Sequence, residues 1–367
     1  MVSIRTVALL GGASLALLLS CGEDSGASGV GGSGASGAGS SFDAGVDAEP
    51  PDSATPEACV GSCGDRECGN DGCSESCGDC EPLESCTDDA WCLAPDTAAD
   101  APPVRVATYN TCGAKCDYTG IAPADWTAGI VADITDWDTD AVLFTELCYG
   151  QLTLVRGVLG SGWGYVWLAS HADIAGCANW GTDRRFGMAI VAKHTEDVLP
   201  ERQTDQLMPP GSCDDNNPRN ILCAEPSIDG RVTLTCVTHL THKPGDCRAE
   251  QARTVASLTL AWSGDGPTIV GGDLNARPED AALDSLYRLG GTGRYLEADQ
   301  EDPAWWPASC TGSCRSGEPT FPAANPDRRI DYVMFSADHF GSVTGGVLPS
   351  DGSQSDHLLT RGAARSR

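Results

Sequence analysis

Eight polar residues stand where short apolar runs end in the C-terminal part of the chain. Asn110 closes VRVATYN and Glu146 lies in VLFTEL. His239 lies in CVTHL, and Asp273 and Asn275 in IVGGDLNARP. Asp331 lies in RRIDYVM, and Asp356 and His357 in SQSDH. Carboxylate and amide oxygens are hard donors that suit a divalent cation such as Mg²⁺, which keeps several waters. A neutral imidazole accepts a proton and an imidazolium stabilises phosphate. Phosphodiester hydrolysis asks for such a set: a cation, an activated water and a stabiliser for the developing charge. Glu146 is costly in an apolar strand unless paired or metal-bound. Asp273 and Asn275, two residues apart, face the same space. Each residue alone has a blander reading: a turn for Asp-x-Asn, a structural ion pair for Glu146, a hydrogen-bonded strand end for His239.

Elements must carry these residues to one place. Val104–Tyr109, Ala141–Phe144, Tyr165–Leu168, Gly187–Lys193, Val232–His239, Thr268–Gly271 and Ile330–Phe335 read as strands. ILCAEP, after Arg219, reads as another. Helices are expected from Trp126 to about Asp136, capped by Asp125, and over Cys148–Leu159, Arg248–Trp262 and Glu279–Leu289. Strands and helices interleave without strict alternation, which predicts sheets covered by helices rather than a barrel. Strand-end residues of such sheets converge on one rim.

The ordered series of motifs, from Val104 to the end, resembles the endonuclease/exonuclease/phosphatase superfamily. This is the fold of deoxyribonuclease I, bacterial sphingomyelinases and inositol polyphosphate 5-phosphatases. The resemblance implies a four-layer α/β sandwich, with two mixed β-sheets flanked by helices. It implies Asn110, Glu146 and Asp356 as ligands of Mg²⁺ (or Mn²⁺ or Ca²⁺). Asp273 orients or deprotonates the attacking water, Asn275 contacts a phosphate oxygen, and Asp331 orients His357. His239 resembles the second histidine of the nuclease and sphingomyelinase branches, which contacts phosphate or protonates the leaving oxygen; it favours a diesterase. In deoxyribonuclease I a Glu supports that histidine. Here the stretch is TDRRFGMAI, where Asp183 is the substitute on offer and Arg185 a bidentate phosphate grip; Arg219 is a weaker candidate. YNTCGAKC, ELC and CVTHL suggest a secreted bacterial branch with disulfides near the site. His171, His194, His242 and His339 fit no motif and read as surface or structural.

The chain has 367 residues and a net charge of −29. Residues 1–103 hold 18 acidic and 2 basic residues; the remainder holds 34 and 21. A basic nucleic-acid coat is excluded, and a polyanionic substrate needs bound cations or local Arg and Lys. Beyond the N-terminus no apolar run is long enough for a spanning helix. Arg5, the apolar run from Val7 to Leu19 and Leu18-Leu19-Ser20-Cys21 resemble a bacterial lipoprotein signal peptide over residues 1–20, with Cys21 acylated. Gly22 in place of Asp points to an outer membrane or cell surface. Residues 21–57 read as acylated cysteine plus a Gly/Ser/Ala/Asp tether, 58–95 as a Cys-rich disulfide module, 96–103 as a linker and 104–367 as the enzyme domain. The 19 cysteines divide into Cys21, eight between Cys59 and Cys92, and ten from Cys112 onward. Even sets are expected for disulfides in an exported protein.

The expected activity is a metal-dependent phosphodiesterase acting outside the cytoplasm, first of all a deoxyribonuclease I-like nuclease. The alternative is a sphingomyelinase-like phospholipid phosphodiesterase, for which Trp305-Trp306 offers an interfacial wedge or else a packed loop. A non-catalytic surface adhesin is the third reading.

Overall fold

The computed structural model describes residues 102–116, 121–207, 218–243, 245–300, 302, 305–306, 315–322, 326–349 and 354–367. It also describes two short strand pairs, Gly69–Asn70 with Ser76–Gly78 and Ser85–Cys86 with Cys92–Leu93. Cys21, the signal peptide and the tether lie outside the described residues.

The first sheet is built from β1 (Val104–Asn110), β2 (Ala141–Cys148), β3 (Trp163–His171) and β4 (Phe186–Lys193). Later in the chain come β5 (Gln203–Gln206), β6 (Asn220–Ala224), β7 (Leu234–His239), β8 (Thr268–Asp273), β9 (Tyr295–Glu297) and β10 (Asp331–Ser336). β11 (Phe340–Val347) and β12 (Thr360–Ser366) finish it. The spatial order of one sheet is β11-β12-β1-β2-β4-β3, and of the other β9-β10-β8-β7-β6-β5. Each mixed sheet has a parallel pair near its centre, β1 with β2 and β7 with β8. A parallel pair needs a crossover. Helix α1 (Pro123–Thr135) supplies the first and α3 (Gly245–Ser263) the second; α2 (Tyr149–Leu159) follows β2.

Side-chain alternation creates the layers. Leu143 and Ile190 of the first sheet point to the other sheet, where they join Leu222, Val237, Ile269 and Val333. Their neighbours Val142, Phe144 and Val191 point outward beneath Trp126, Ile130, Leu152 and Val155 of α1 and α2. On the second sheet Val270, Tyr332 and Met334 face outward to Ala252 and Val255 of α3. The result is the expected sandwich: helices, sheet, sheet, helix. The central strands are buried on both faces, which is why they read as near-continuous apolar runs.

Two local expectations need correction. α1 begins at Pro123, preset for a first helical position, with Ala122 as an uncapped N-cap; Asp125 sits inside the first turn. The helix expected at Glu279–Leu289 is a single 3-10 turn, Ala281–Leu283. The Asp284 carbonyl accepts the amides of Thr292 and Gly293, so the chain folds back instead of propagating a helix. Trp306 is buried, donates its Nε1 to the Ser316 carbonyl at 2.6 Å and packs against Tyr287. It is therefore a packed residue, not a membrane wedge.

Disulfides join Cys112–Cys116, Cys148–Cys177 and the cross-strand pair Cys223–Cys236. The Arg329 guanidinium is buried between the carboxylates of Glu297 and, at 2.5 Å, Asp299. It joins the end of β9 to the entry of β10. Removing one member of a buried ion network strands the others. Arg329→Met should therefore lower the urea-unfolding free energy by about 3–5 kcal/mol; a loss below about 1 kcal/mol would show the network to be dispensable.

Candidate active site

The rim is set by strand register. β7, β8 and β10 place His239 opposite Asp273 and Asp273 opposite Asp331. Gly272, at φ 127°, makes this close approach possible; a Cβ there would run into the Thr238 carbonyl oxygen. In the other sheet Asn110 stands opposite Thr145, one residue before Glu146.

Asp273 is the hub. Its Oδ2 accepts from Asn110 Nδ2 at 3.1 Å and lies 3.3 Å from His239 Nε2 and 3.9 Å from His357 Nε2. Its Oδ1 accepts the Asn275 amide at 2.8 Å. Behind it, Asp331 Oδ2 pairs with His357 Nδ1 at 2.8 Å and accepts the Thr320 hydroxyl at 2.7 Å. The same hydroxyl accepts the amides of Ile330 and Asp331, both at 3.0 Å. Phe321 packs on the His357 ring at 4.6 Å. Ser355 donates to the Asn110 carbonyl at 2.7 Å and accepts the His357 amide at 3.1 Å, tying β1 to the segment before β12.

Burial sets the protonation states. It raises Asp273 to about 7, helped by Asp331 and opposed by His357. Burial also works against charge on His357, yet Asp331, Asp273 and Asp356 together raise it to about 10. His239 falls well below its ordinary value, through burial and the positive charge of Arg219, His357 and Lys115. Near neutral pH the site thus holds one imidazolium, His357, and one neutral imidazole, His239. Groups pushed apart in this way mark acid–base sites.

Glu146 comes from the other sheet through a distortion. The β2–β4 register shifts between Phe144 and Leu147, and Glu146 has φ 50°. Such a bulge re-aims a side chain at a cost in backbone strain. The Glu146 carbonyl accepts from the Gly113 amide at 2.9 Å and the Thr111 hydroxyl at 3.0 Å. The Cys112 amide donates to Asn110 Oδ1 at 3.0 Å. The Cys112–Cys116 loop therefore clamps both Asn110 and Glu146.

The donor set fits a hard cation. The Glu146 side chain is 11% exposed, and its partner Lys115, 3.3 Å away, is 74% exposed. That partner is a solvent-exposed counter-ion, which a cation can replace. Asp356, 4.0 Å from His357 Nε2, lies at the rim near the Cys112–Cys116 sulfurs. Those sulfurs are bonded to each other and are no thiolate donors. Asp273, Asp331 and His357 also converge closely, but the hydrogen bond between His357 and Asp331 makes them a proton-holding relay.

The structure brings Asn110, His239, Asp273, Asp331 and His357 into one contact network. Asn275 joins it by its backbone, while its Nδ2 donates to the Leu240 carbonyl at 3.0 Å. Arg185 is different. Its Nε and Nη2 are spent on Asp183 at 3.0 and 2.7 Å, and its guanidinium lies 3.9 Å from the Tyr149 ring centroid. Asp183 is therefore Arg185's partner, and Asp273 stands beside His239 where Asp183 was expected. A narrow cleft beside Glu146 and His239 is also lined by Lys115, His171 and Arg219. Thr320, Ser355 and Lys115 escape the sequence reading. Ser355 adjoins the Asp-His pair, but nothing in EPTF marks Thr320.

The profile of the Endonuclease/Exonuclease/phosphatase family matches residues 107–357. Among solved structures, the chain is similar to an endonuclease/exonuclease/phosphatase family protein from Bacteroides thetaiotaomicron, at 17% identity and TM-score 0.52. That match covers 71% of this chain and 94% of that one. It is similar to the human Nocturnin catalytic domain with bound sulfate, at 18% identity and TM-score 0.52, covering 72% and 94%. Truncated Caenorhabditis elegans TDP2 gives 15% identity and TM-score 0.50, covering 71% and 96%. These likenesses are of fold. A comparison by sequence with curated proteins finds no match.

Thr320→Val removes the hydroxyl that fixes Asp331 and keeps the side-chain shape. It should lower kcat about 10–100-fold, the range for losing a supporting hydrogen bond, with KM little changed. A kcat within about twofold of the wild type would show that Asp331 needs no such support.

Proposed function

Because the chain belongs to the endonuclease/exonuclease/phosphatase family, whose members hydrolyse phosphoester bonds, we propose that it is a divalent-metal-dependent phosphodiesterase. Its preferred substrate in this reading is nucleic acid, cut in the manner of deoxyribonuclease I. The observation that carries the proposal is the pair of histidines set 3.3 and 3.9 Å from Asp273, His239 with its pKa pushed down by burial and His357 with its pKa pushed up by Asp331. A diester needs its leaving oxygen stabilised or protonated as well as its water activated; here Asp273 serves the water, and the two histidines beside it serve the phosphate charge and the leaving oxygen.

Glu146, Asn110 and Asp356 would hold Mg²⁺, which when bound supplies Lewis-acid polarisation of the phosphate and neutralises charge. The chain's own residues do the rest. Asp273, pushed up to about 7, is poised as a base for the attacking water. The His357 imidazolium, anchored by Asp331, faces the phosphate as a fixed positive charge. His239 stands on the other side of Asp273 to meet a phosphate or leaving oxygen. Asn275 keeps a side-chain carbonyl and one N–H beyond its bond to Leu240 for orienting substrate. The sulfate held by the Nocturnin domain is consistent with tetrahedral-anion binding in this fold. Export and membrane attachment through Cys21 complete the proposal and place the substrate outside the cytoplasm.

Plasmid DNA, RNA and sphingomyelin offered side by side with Mg²⁺ test this reading. DNA nicking is expected, abolished by EDTA and restored by Mg²⁺ or Mn²⁺. Glu146→Ala should remove at least about 99.9% of the rate, as expected for losing a cation worth several kcal/mol. Lipid cleavage without nicking would replace the nuclease reading with the phospholipid one, and silence toward all three would favour an adhesin.

A further inference from the structure

A second cleft, of about 470 Å³, opens beside Asn275, with three arginines, Arg248, Arg277 and Arg328, two carboxylates, Glu279 and Asp280, and His242 in its wall. It is built by the segments that leave the catalytic strand ends. His242 lies three residues after His239, Arg277 two after Asn275, and Arg328 three before Asp331. Among the described residues it shares no lining residue with the narrow cleft beside Glu146. Asp273 joins the two. It lies 3.3 Å from His239, which lines the narrow cleft, and accepts the amide of Asn275, which lines the wide one. Each cleft thus has one lining residue in contact with Asp273.

The wall of the wide cleft is not uniformly neutralised. Arg248 is committed to Asp280 at 2.9 Å and to the Lys243 carbonyl at 3.2 Å. Arg277 meets Glu279 only at 4.0 Å. Arg328 is exposed and has no carboxylate partner among the described residues. Arg277 thus has only this long pair with Glu279, and Arg328 no carboxylate among the described residues, so both guanidinium forks can turn to an anion in a chain whose net charge is −29. Guanidinium groups match phosphate oxygens bidentately.

We propose that this cleft is a second phosphate subsite, in which Arg277 and Arg328 hold the backbone phosphate next to the scissile one in a nucleic acid strand. The proposal rests on the phosphodiesterase reading and sharpens it, because a sphingomyelin headgroup has no second phosphate to place there. The test compares a short DNA oligonucleotide with bis(4-nitrophenyl) phosphate, which carries one phosphate. Wild type and the Arg277→Gln/Arg328→Gln variant are assayed with Mg²⁺, with folding checked by circular dichroism. The ratio of kcat/KM, oligonucleotide over single diester, should fall about tenfold or more, chiefly through KM. The dependence of log(kcat/KM) on log salt for the oligonucleotide should become shallower by about 1–2 units, about one per phosphate-binding side chain. A ratio and salt slope equal to the wild type would overturn the subsite, as would wild-type cleavage of sphingomyelin in preference to DNA. Hydrolysis of neither diester by the wild type would remove the phosphodiesterase reading, and the subsite with it.

Discussion

Two carboxylates are forced side by side in a dry place. The β8–β10 register makes Asp273 and Asp331 direct neighbours, and both are buried. Two like charges there cannot both be tolerated without compensation. The protein supplies it from a third element, the His357 imidazole inserted between them at 2.8 and 3.9 Å. The proton on His357 balances Asp331, and Asp273 is left with its carboxyl near 7. The remaining features of the rim serve this balance. Thr320 fixes Asp331, Ser355 fixes the turn carrying His357, and Asn110 donates to Asp273.

The other half of the site is held by strain and covalent bonds. Glu146 and Cys112 both have φ near 50°, a region costly for side-chain-bearing residues. Cys112–Cys116 closes the loop after Asn110, and Cys148–Cys177 anchors the strand two residues past Glu146. Trp180 Nε1 donates to the Gly113 carbonyl at 2.8 Å, linking the two bridged segments. These two disulfides thus flank the irregular backbone at Cys112 and Glu146.

Much of this is legible in the amino-acid sequence. The central strands announce themselves because both faces are buried and the residues are apolar throughout. The polar residue ending each run then stands out, which is why Asn110, Glu146, His239, Asp273 and Asp331 are readable. The outer strands are not. β12 reads TRGAARS and β11 FGSVTGGV; neither has the β-branched pattern of a strand, and pairing of β12 with β1, and of β11 with β12, makes them strands. The segment after Glu279 has helical periodicity, but carbonyl capture by Thr292 and Gly293 is a non-local event. Thr320 acts through hydroxyl geometry alone, and the spending of Arg185 on Asp183 depends on a local turn. Such choices between partners leave no periodic trace.

The central claim is that the site holds one charged and one neutral imidazole around Asp273. Nitrogen-15 NMR of the two rings in the metal-free protein at about pH 8, well above the ordinary histidine value, measures it directly. The account predicts His357 protonated on both nitrogens and His239 carrying a single proton. A His357 neutral at that pH would contradict the account.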